Sequence, residues 1–238
     1  MWLIRSSIGR KLVMSISGVA LVLFLLFHLS MNVAAVLSAE AYNMICSLLG
    51  ANWYAVAATM LLAGLIALHF CYALLLTLQN RKARGADRYA VGARPKGVSW
   101  ASQNMFVIGL IICGGLLLHL SQFWYNMMFT ELLGHEEATL CGGKTISTTD
   151  GAAFIAYYFS HTWVVIAYLV WYGALWFHLT HGVWSAIQTI GWSNEIWLNR
   201  WKAIGNITAT LIFLGFAGVT LFFYLKSFCA GGACLLNH

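Results

Sequence analysis

Apolar residues fill five long blocks of the chain, at roughly 12–37, 53–80, 101–130, 154–187 and 203–227, with polar residues gathered between them. A helix rises 1.5 Å per residue, so each block is long enough to cross a hydrocarbon core about 30 Å thick. The fourth block is over-long and is expected to tilt or to extend beyond the bilayer. The pattern predicts an all-α fold: an integral membrane bundle of five transmembrane helices, forming one membrane domain over residues 1–238. The short basic segment Met1–Lys11 ahead of the first block has the look of a signal peptide. The run that follows is too long for one, and no small-residue cleavage site precedes Glu40, so the first helix is read as retained.

Composition agrees with the blocks. The 238 residues are 61% hydrophobic and only 8% charged, against about 25% charged in an average soluble domain. The charges that remain are sorted. Arg5, Arg10 and Lys11 precede the first block. Arg81, Lys82, Arg84, Arg88, Arg94 and Lys96 lie between the second and third, and Arg200 and Lys202 between the fourth and fifth. These connections fall on one side of the membrane. Lys144 and Lys226, with Glu40, Glu131, Glu136, Glu137 and Asp150, fall on the other. By the positive-inside rule the N-terminus is cytoplasmic and the C-terminus outside. The net charge of +6 thus reads as topology. Nucleic acid is the weaker partner reading, because the basic residues are divided among loops. The longest outer polar connection is Glu131–Gly151, and the basic inner loop holds the single proline, Pro95. Cys71 and Cys113 sit in spans as packing residues. Cys46, Cys141, Cys229 and Cys234 fall on the oxidising side. A disulfide joining Cys229 to Cys234, or Cys141 to either, stands level with free thiols.

Intramembrane titratable groups are costly and mark functional sites. In this chain nearly all of them are histidine: His28, His69, His119, His161, His178 and His181. A proton-coupled transporter would more often carry carboxylates there, whereas a neutral imidazole is a good iron ligand. Depth sorts four of them. His28 lies twelve residues before Glu40 and His119 twelve before Glu131, each about 18 Å of helix from an outer boundary charge. His69 lies twelve residues before Arg81 on a helix of opposite direction, and His178 precedes the polar exit near Gln188. The four therefore form two depth-matched pairs, each drawn from two helices. Haem iron takes two axial ligands on opposite faces of the ring. Two such pairs suggest two bis-histidine haem b groups stacked across the bilayer. No Cys-x-x-Cys-His occurs, so covalent attachment is unsupported. Interhelical hydrogen bonding is the competing explanation for any one of these histidines. His181, three residues after His178, competes with it as the ligand. His161 sits near the outer mouth of the fourth helix, and His135 and His238 lie in outer polar segments. Trp100, Trp124, Trp192, Trp197 and Trp201 fit an interfacial belt.

Several segments carry a family resemblance. They are Leu26-Phe27-His28-Leu29, Glu40-Ala41-Tyr42-Asn43, Ala67-Leu68-His69-Phe70-Cys71-Tyr72, Leu117-Leu118-His119, and Phe177-His178-Leu179-Thr180-His181-Gly182-Val183-Trp184-Ser185. The last, with its His-x-x-x-Gly-x-Trp-Ser pattern, is the most specific. Over roughly residues 8–225 the chain resembles the di-haem, five-helix cytochrome b anchor of succinate:quinone oxidoreductases, the succinate dehydrogenases and quinol:fumarate reductases. The resemblance implies that His69 and His178 hold an inner haem and His28 and His119 an outer one, with His178 rather than His181 as ligand. It implies a flavoprotein and an iron–sulfur subunit as partners on the cytoplasmic face, which carry the dicarboxylate chemistry. It further implies a membrane quinone, here expected to be menaquinone, and a bacterial cytoplasmic membrane location. Some members carry a proton-passing glutamate two residues before the fourth-helix ligand; Trp176 stands there in this chain, which puts that route in doubt. Glu40, Gln122 and His161, near the outer haem level, are candidate quinone contacts. Ser15 and Ser17, near the inner end of the first helix, are candidate propionate contacts, with ordinary packing as the alternative. The basic loop Arg81–Lys96 is the candidate docking surface for the soluble partners. Other readings are a cytochrome b anchor of another dehydrogenase or a hydrogenase, and a cofactor-free transporter or structural anchor.

Overall fold

A computed structural model describes residues 6–83 and 100–230. Nine α-helices, one π-helical stretch and a two-stranded hairpin account for nearly all of them. Helix α1 (Ser7–Leu37) starts where the Ser6 side chain accepts the Gly9 amide. It stops at Ser38, whose extended backbone breaks the helix and whose hydroxyl caps α2 (Ala39–Leu48) by accepting the Ala41 amide. Helix α3 (Trp53–Ala83) ends with Arg81 and Lys82 in its last turn, where cations oppose the negative end of the helix dipole. After α4 (Trp100–Gln103), helix α5 (Met105–His119) passes directly into a π-helical stretch, Leu120–Phe129, and then into α6 (Thr130–Leu132). The wider register is held from within. The Asn126 side-chain amide donates to the carbonyls of Ser121 and Gln122, five and four residues back. Such bulges concentrate at functional sites.

The polar connection between the third and fourth spans is built rather than loose. Strands β1 (Glu137–Thr139) and β2 (Thr145–Ser147) pair antiparallel with Ala138 opposite Ile146. They turn through Gly142 and Gly143, both with positive φ that a side chain would strain. Ala138 and Ile146 point inward onto Phe154. That residue lies in α7 (Gly151–Phe159), which Asp150 caps by accepting the Ala153 amide. The over-long fourth block resolves here. It is two helices, α7 and α8 (Thr162–Ile190), broken at Ser160 and His161, where His161 takes an extended backbone. Gly191 closes α8 in the left-handed region, with its amide and that of Trp192 returned to Gln188 and Ile187. Helix α9 (Glu195–Ala230) begins well before the last apolar block and takes Arg200 and Lys202 into its first turns.

Five of these helical runs are long and apolar enough to cross a membrane: Ser7–Leu37, Trp53–Lys82, Met105–Leu132, Thr162–Ile190 and Glu195–Cys229. The chain is a multi-pass α-helical membrane protein. Its dry core lies where α7, α8 and α9 meet α1, around Ile155, Val164, Tyr168, Ile212 and Phe216. The second span is peripheral to that core, whereas the third packs Leu118 and Phe123 against it. None of the apolar window of α3 is buried, against 39% of that of α9. The span that carries His69 therefore leaves apolar surface facing outward from the helical core. Arg5, Arg84, Arg88, Arg94, Pro95, Lys96, Cys234 and His238 lie outside the described residues, and with them most of the candidate docking loop.

Candidate functional site: two facing histidine pairs

The four depth-matched histidines meet in the expected pairs. His28 on α1 faces His119 at the end of α5, with ring centroids 5.8 Å apart and planes at 81°. His69 on α3 faces His178 on α8, with centroids 6.2 Å apart and planes at 70°. All four rings are half-buried. A metal–imidazole bond is about 2 Å long and the ring centre lies roughly 1 Å further, so a metal held between two imidazoles sets their centroids about 6 Å apart. Both pairs fit that spacing. Among the described residues no three His, Cys, Asp or Glu side chains converge on a point. Two-histidine sets suit a metal that brings its own equatorial ligands, as haem does.

The surroundings restrain the rings. His69 sits against Gly18 of α1, where a Cβ would come within 3.3 Å of the imidazole Cε1. Its Nδ1 lies 3.0 Å from the Ser17 hydroxyl, which donates in turn to the Met14 carbonyl at 3.0 Å. Across the pair, His178 Nδ1 is buried with no hydrogen-bond partner. At the His28–His119 pair, His119 packs between Phe123 and Trp171, at 5.2 and 5.7 Å between centroids. Its Nδ1 lies 3.4 Å from the Tyr168 hydroxyl, which donates to Gln122 Oε1 at 2.9 Å. His28 stacks on Phe24. The Asn32 amide reaches its Nε2 at 3.4 Å but donates mainly to its carbonyl, at 2.8 Å.

The remaining candidates fall elsewhere. His181 leaves the pair to His178 and packs edge-on against Trp184, with its own Nδ1 buried and unpartnered. Ser15 and Ser17 are buried on α1, and the Ser17 hydroxyl is engaged with His69. Gln122 is 6% exposed and held by Tyr168. His161 bonds the Tyr157 carbonyl through Nδ1 at 2.8 Å, and Glu40 is exposed in the first turn of α2. Among the described residues no hydrogen bond links Glu40, Gln122 and His161. Trp176 donates Nε1 to Thr210 on α9 at 3.0 Å. Cys46, Cys71, Cys113 and Cys141 are free thiols.

Sequence reasoning passed over Tyr168, Trp171 and Gly18. Each lies inside an apolar span and carries no local signal beyond aromatic or small-residue character. It also read Asn43 only as part of a motif. That side chain clamps α2 to the start of α7, donating to Asp150 at 2.7 Å and accepting the Ala152 amide at 3.0 Å. Comparisons with protein-family models, with curated proteins and with solved structures found no match.

Proposed function

We propose that this chain is the di-haem cytochrome b membrane subunit of a succinate:quinone oxidoreductase. It anchors a flavoprotein and an iron–sulfur subunit at the cytoplasmic face and links them to a membrane quinone. The observation that carries the reading is the pair of facing imidazole pairs, each set between two different spans and each at the spacing of two axial ligands. His69 and His178 would hold the inner haem, and His28 and His119 the outer one. Haem supplies one-electron redox chemistry when bound. The chain's own residues ligate it, keep water from it and orient its ligands. Neutral imidazoles suit this task, because they donate a lone pair without adding a charge to the bilayer. The quinone site is proposed on the outer side, with Glu40 as the first residue to test; Gln122 serves His119 through Tyr168 instead.

The test is a pyridine haemochrome count on the purified full chain. Two haem b groups per chain are expected. His28→Ala and His119→Ala should each remove one and the same haem, and His69→Ala and His178→Ala the other. Protein isolated gently with no haem would overturn the reading. Co-purification of a flavin- and iron–sulfur-containing partner with succinate-driven quinone reduction is the expected second result. A nickel- or molybdenum-containing partner would instead assign the chain to the anchor of another dehydrogenase or a hydrogenase. Quinone turnover unchanged in Glu40→Gln would remove that residue from the site.

A further inference from the structure

One histidine in each pair is held through Nδ1 by a hydroxyl, and its opposite number is not. The two hydroxyls come from different helices, yet their bonding is the same. The Ser17 hydroxyl on α1 lies 3.0 Å from both the Met14 carbonyl oxygen and His69 Nδ1. Tyr168 on α8 gives its proton to Gln122 Oε1 and lies 3.4 Å from His119 Nδ1. A hydroxyl has one proton and two lone pairs. Where that proton goes to the carbonyl oxygen, a lone pair faces the imidazole and Nδ1 carries the hydrogen. The neutral ring then has its one free lone pair on Nε2. Both hydroxyls are buried: Ser17 is 3% and Tyr168 2% exposed, with Gln122 at 6%; the Met14 carbonyl is a second acceptor within reach of His69. His178 Nδ1 is also buried and has no partner.

We propose that Ser17 and Tyr168 are positioning residues that fix the tautomers of His69 and His119, each leaving Nε2 as the ligating nitrogen of its pair. The inference rests on the cytochrome reading above. The partner of a ligating histidine sets its orientation and raises its basicity, which favours the oxidised metal. The π-helical stretch has a part in this. It begins immediately after His119 and carries Gln122, the group that takes the Tyr168 proton. Gln122 thus acts on His119 through Tyr168.

The experiment measures the midpoint potentials and ferric low-spin signals of both haems in the purified complex. Ligand variants of His28 and His69 assign each signal to its pair. Ser17→Ala should raise the inner potential, so that its ferrous-to-ferric ratio at fixed ambient potential increases several-fold, and leave the outer haem unmoved. Tyr168→Phe should do the converse. Ser17→Thr, which keeps a hydroxyl, should restore the wild-type inner potential. Gln122→Leu preserves the bulk of Tyr168 but frees its proton, and should disturb the outer haem alone. Wild-type protein with two haems whose potentials are unmoved by Ser17→Ala and Tyr168→Phe would overturn the proposal and leave the cytochrome reading standing. So would a shift of the wrong haem, or a Ser17→Thr protein that behaves as Ser17→Ala. Wild-type protein without haem would instead remove the reading on which it rests.

Discussion

Gly115 and its neighbour Gly114 offer a matched pair of perturbations on one helix. A Cβ at Gly115 would overlap the Trp171 indole at Cγ and Cδ1, whereas a Cβ at Gly114 would meet nothing within 4 Å. Trp171 is not free to yield. Its Nε1 donates to the Ile112 carbonyl at 3.0 Å, and its ring packs on His119 at 5.7 Å and on Tyr168 at 5.5 Å. Gly115→Ala must therefore part α5 from α8 or turn the indole out. Overpacking of this kind costs about 1–3 kcal/mol, and losing the indole hydrogen bond adds about 0.5–1.5 kcal/mol. The better helix propensity of alanine returns roughly 1 kcal/mol. The expected net loss is about 0.5–3.5 kcal/mol. Gly114→Ala keeps only the propensity gain and should be neutral or slightly stabilised. Reversible denaturant titration in detergent micelles, followed by tryptophan fluorescence, reads both variants. Equal stability of the two would refute the contact between Gly115 and Trp171 and the close approach of α5 to α8 derived from it.

Three further perturbations have definite outcomes. Gly18→Ala brings a methyl group within 3.3 Å of the His69 ring, so under the proposed haem reading it should lower occupancy of the His69–His178 site alone, read as haem per chain; full occupancy would show that the ring has room to move. Asn43→Ala removes both bonds of the clamp between α2 and α7, and should cost about 1–3 kcal/mol, since the Ala152 amide loses its partner and Asp150 keeps only the Ala153 amide; protease cleavage ahead of α7 should become faster, and an unchanged cleavage rate would refute the clamp. The Cys46 thiol is pushed up by burial to about 11, partly offset by its hydrogen bond with Tyr42; maleimide labelling should be slow at pH 8 and accelerate toward pH 11. A thiol raised in the folded state stabilises the fold below its ordinary value of 9.0 and loses that contribution as pH climbs through about 11, so rapid labelling at pH 8 would contradict the buried placement.

Much of the architecture was legible because lipid simplifies the code. With water absent from the bilayer core, backbone groups must pair within the segment, and an apolar run of sufficient length has few options besides a helix. The five spans followed from that. Depth along a helix is also a one-dimensional quantity, fixed by rise per residue. Counting from Glu40, Glu131 and Arg81 therefore paired His28 with His119 and His69 with His178, and the facing rings agree. The break at Ser160 and His161 had no glycine or proline to announce it, so the fourth block read as one helix where the chain builds two.

Azimuth was not legible. The hydrophobic pattern states how deep a residue lies, but nearly every face of these helices is apolar, so it does not state which way a side chain points. His178 and His181 sit three residues apart at almost one depth, and only packing turns the first toward His69 and the second onto Trp184. Asn43 and Asp150 are 107 residues apart and meet only because the middle of α2 packs on the N-terminus of α7. Tyr168 looks like one more aromatic in an apolar run. Its role appears once the π-helical stretch brings Gln122 onto the α8 face beside it. What the sequence by itself determined is the set of spans, their order and the depth of each histidine, since these depend on length and polarity along one axis. What only the tertiary structure decided is rotation and partnership, because those depend on contacts between helices far apart in the chain.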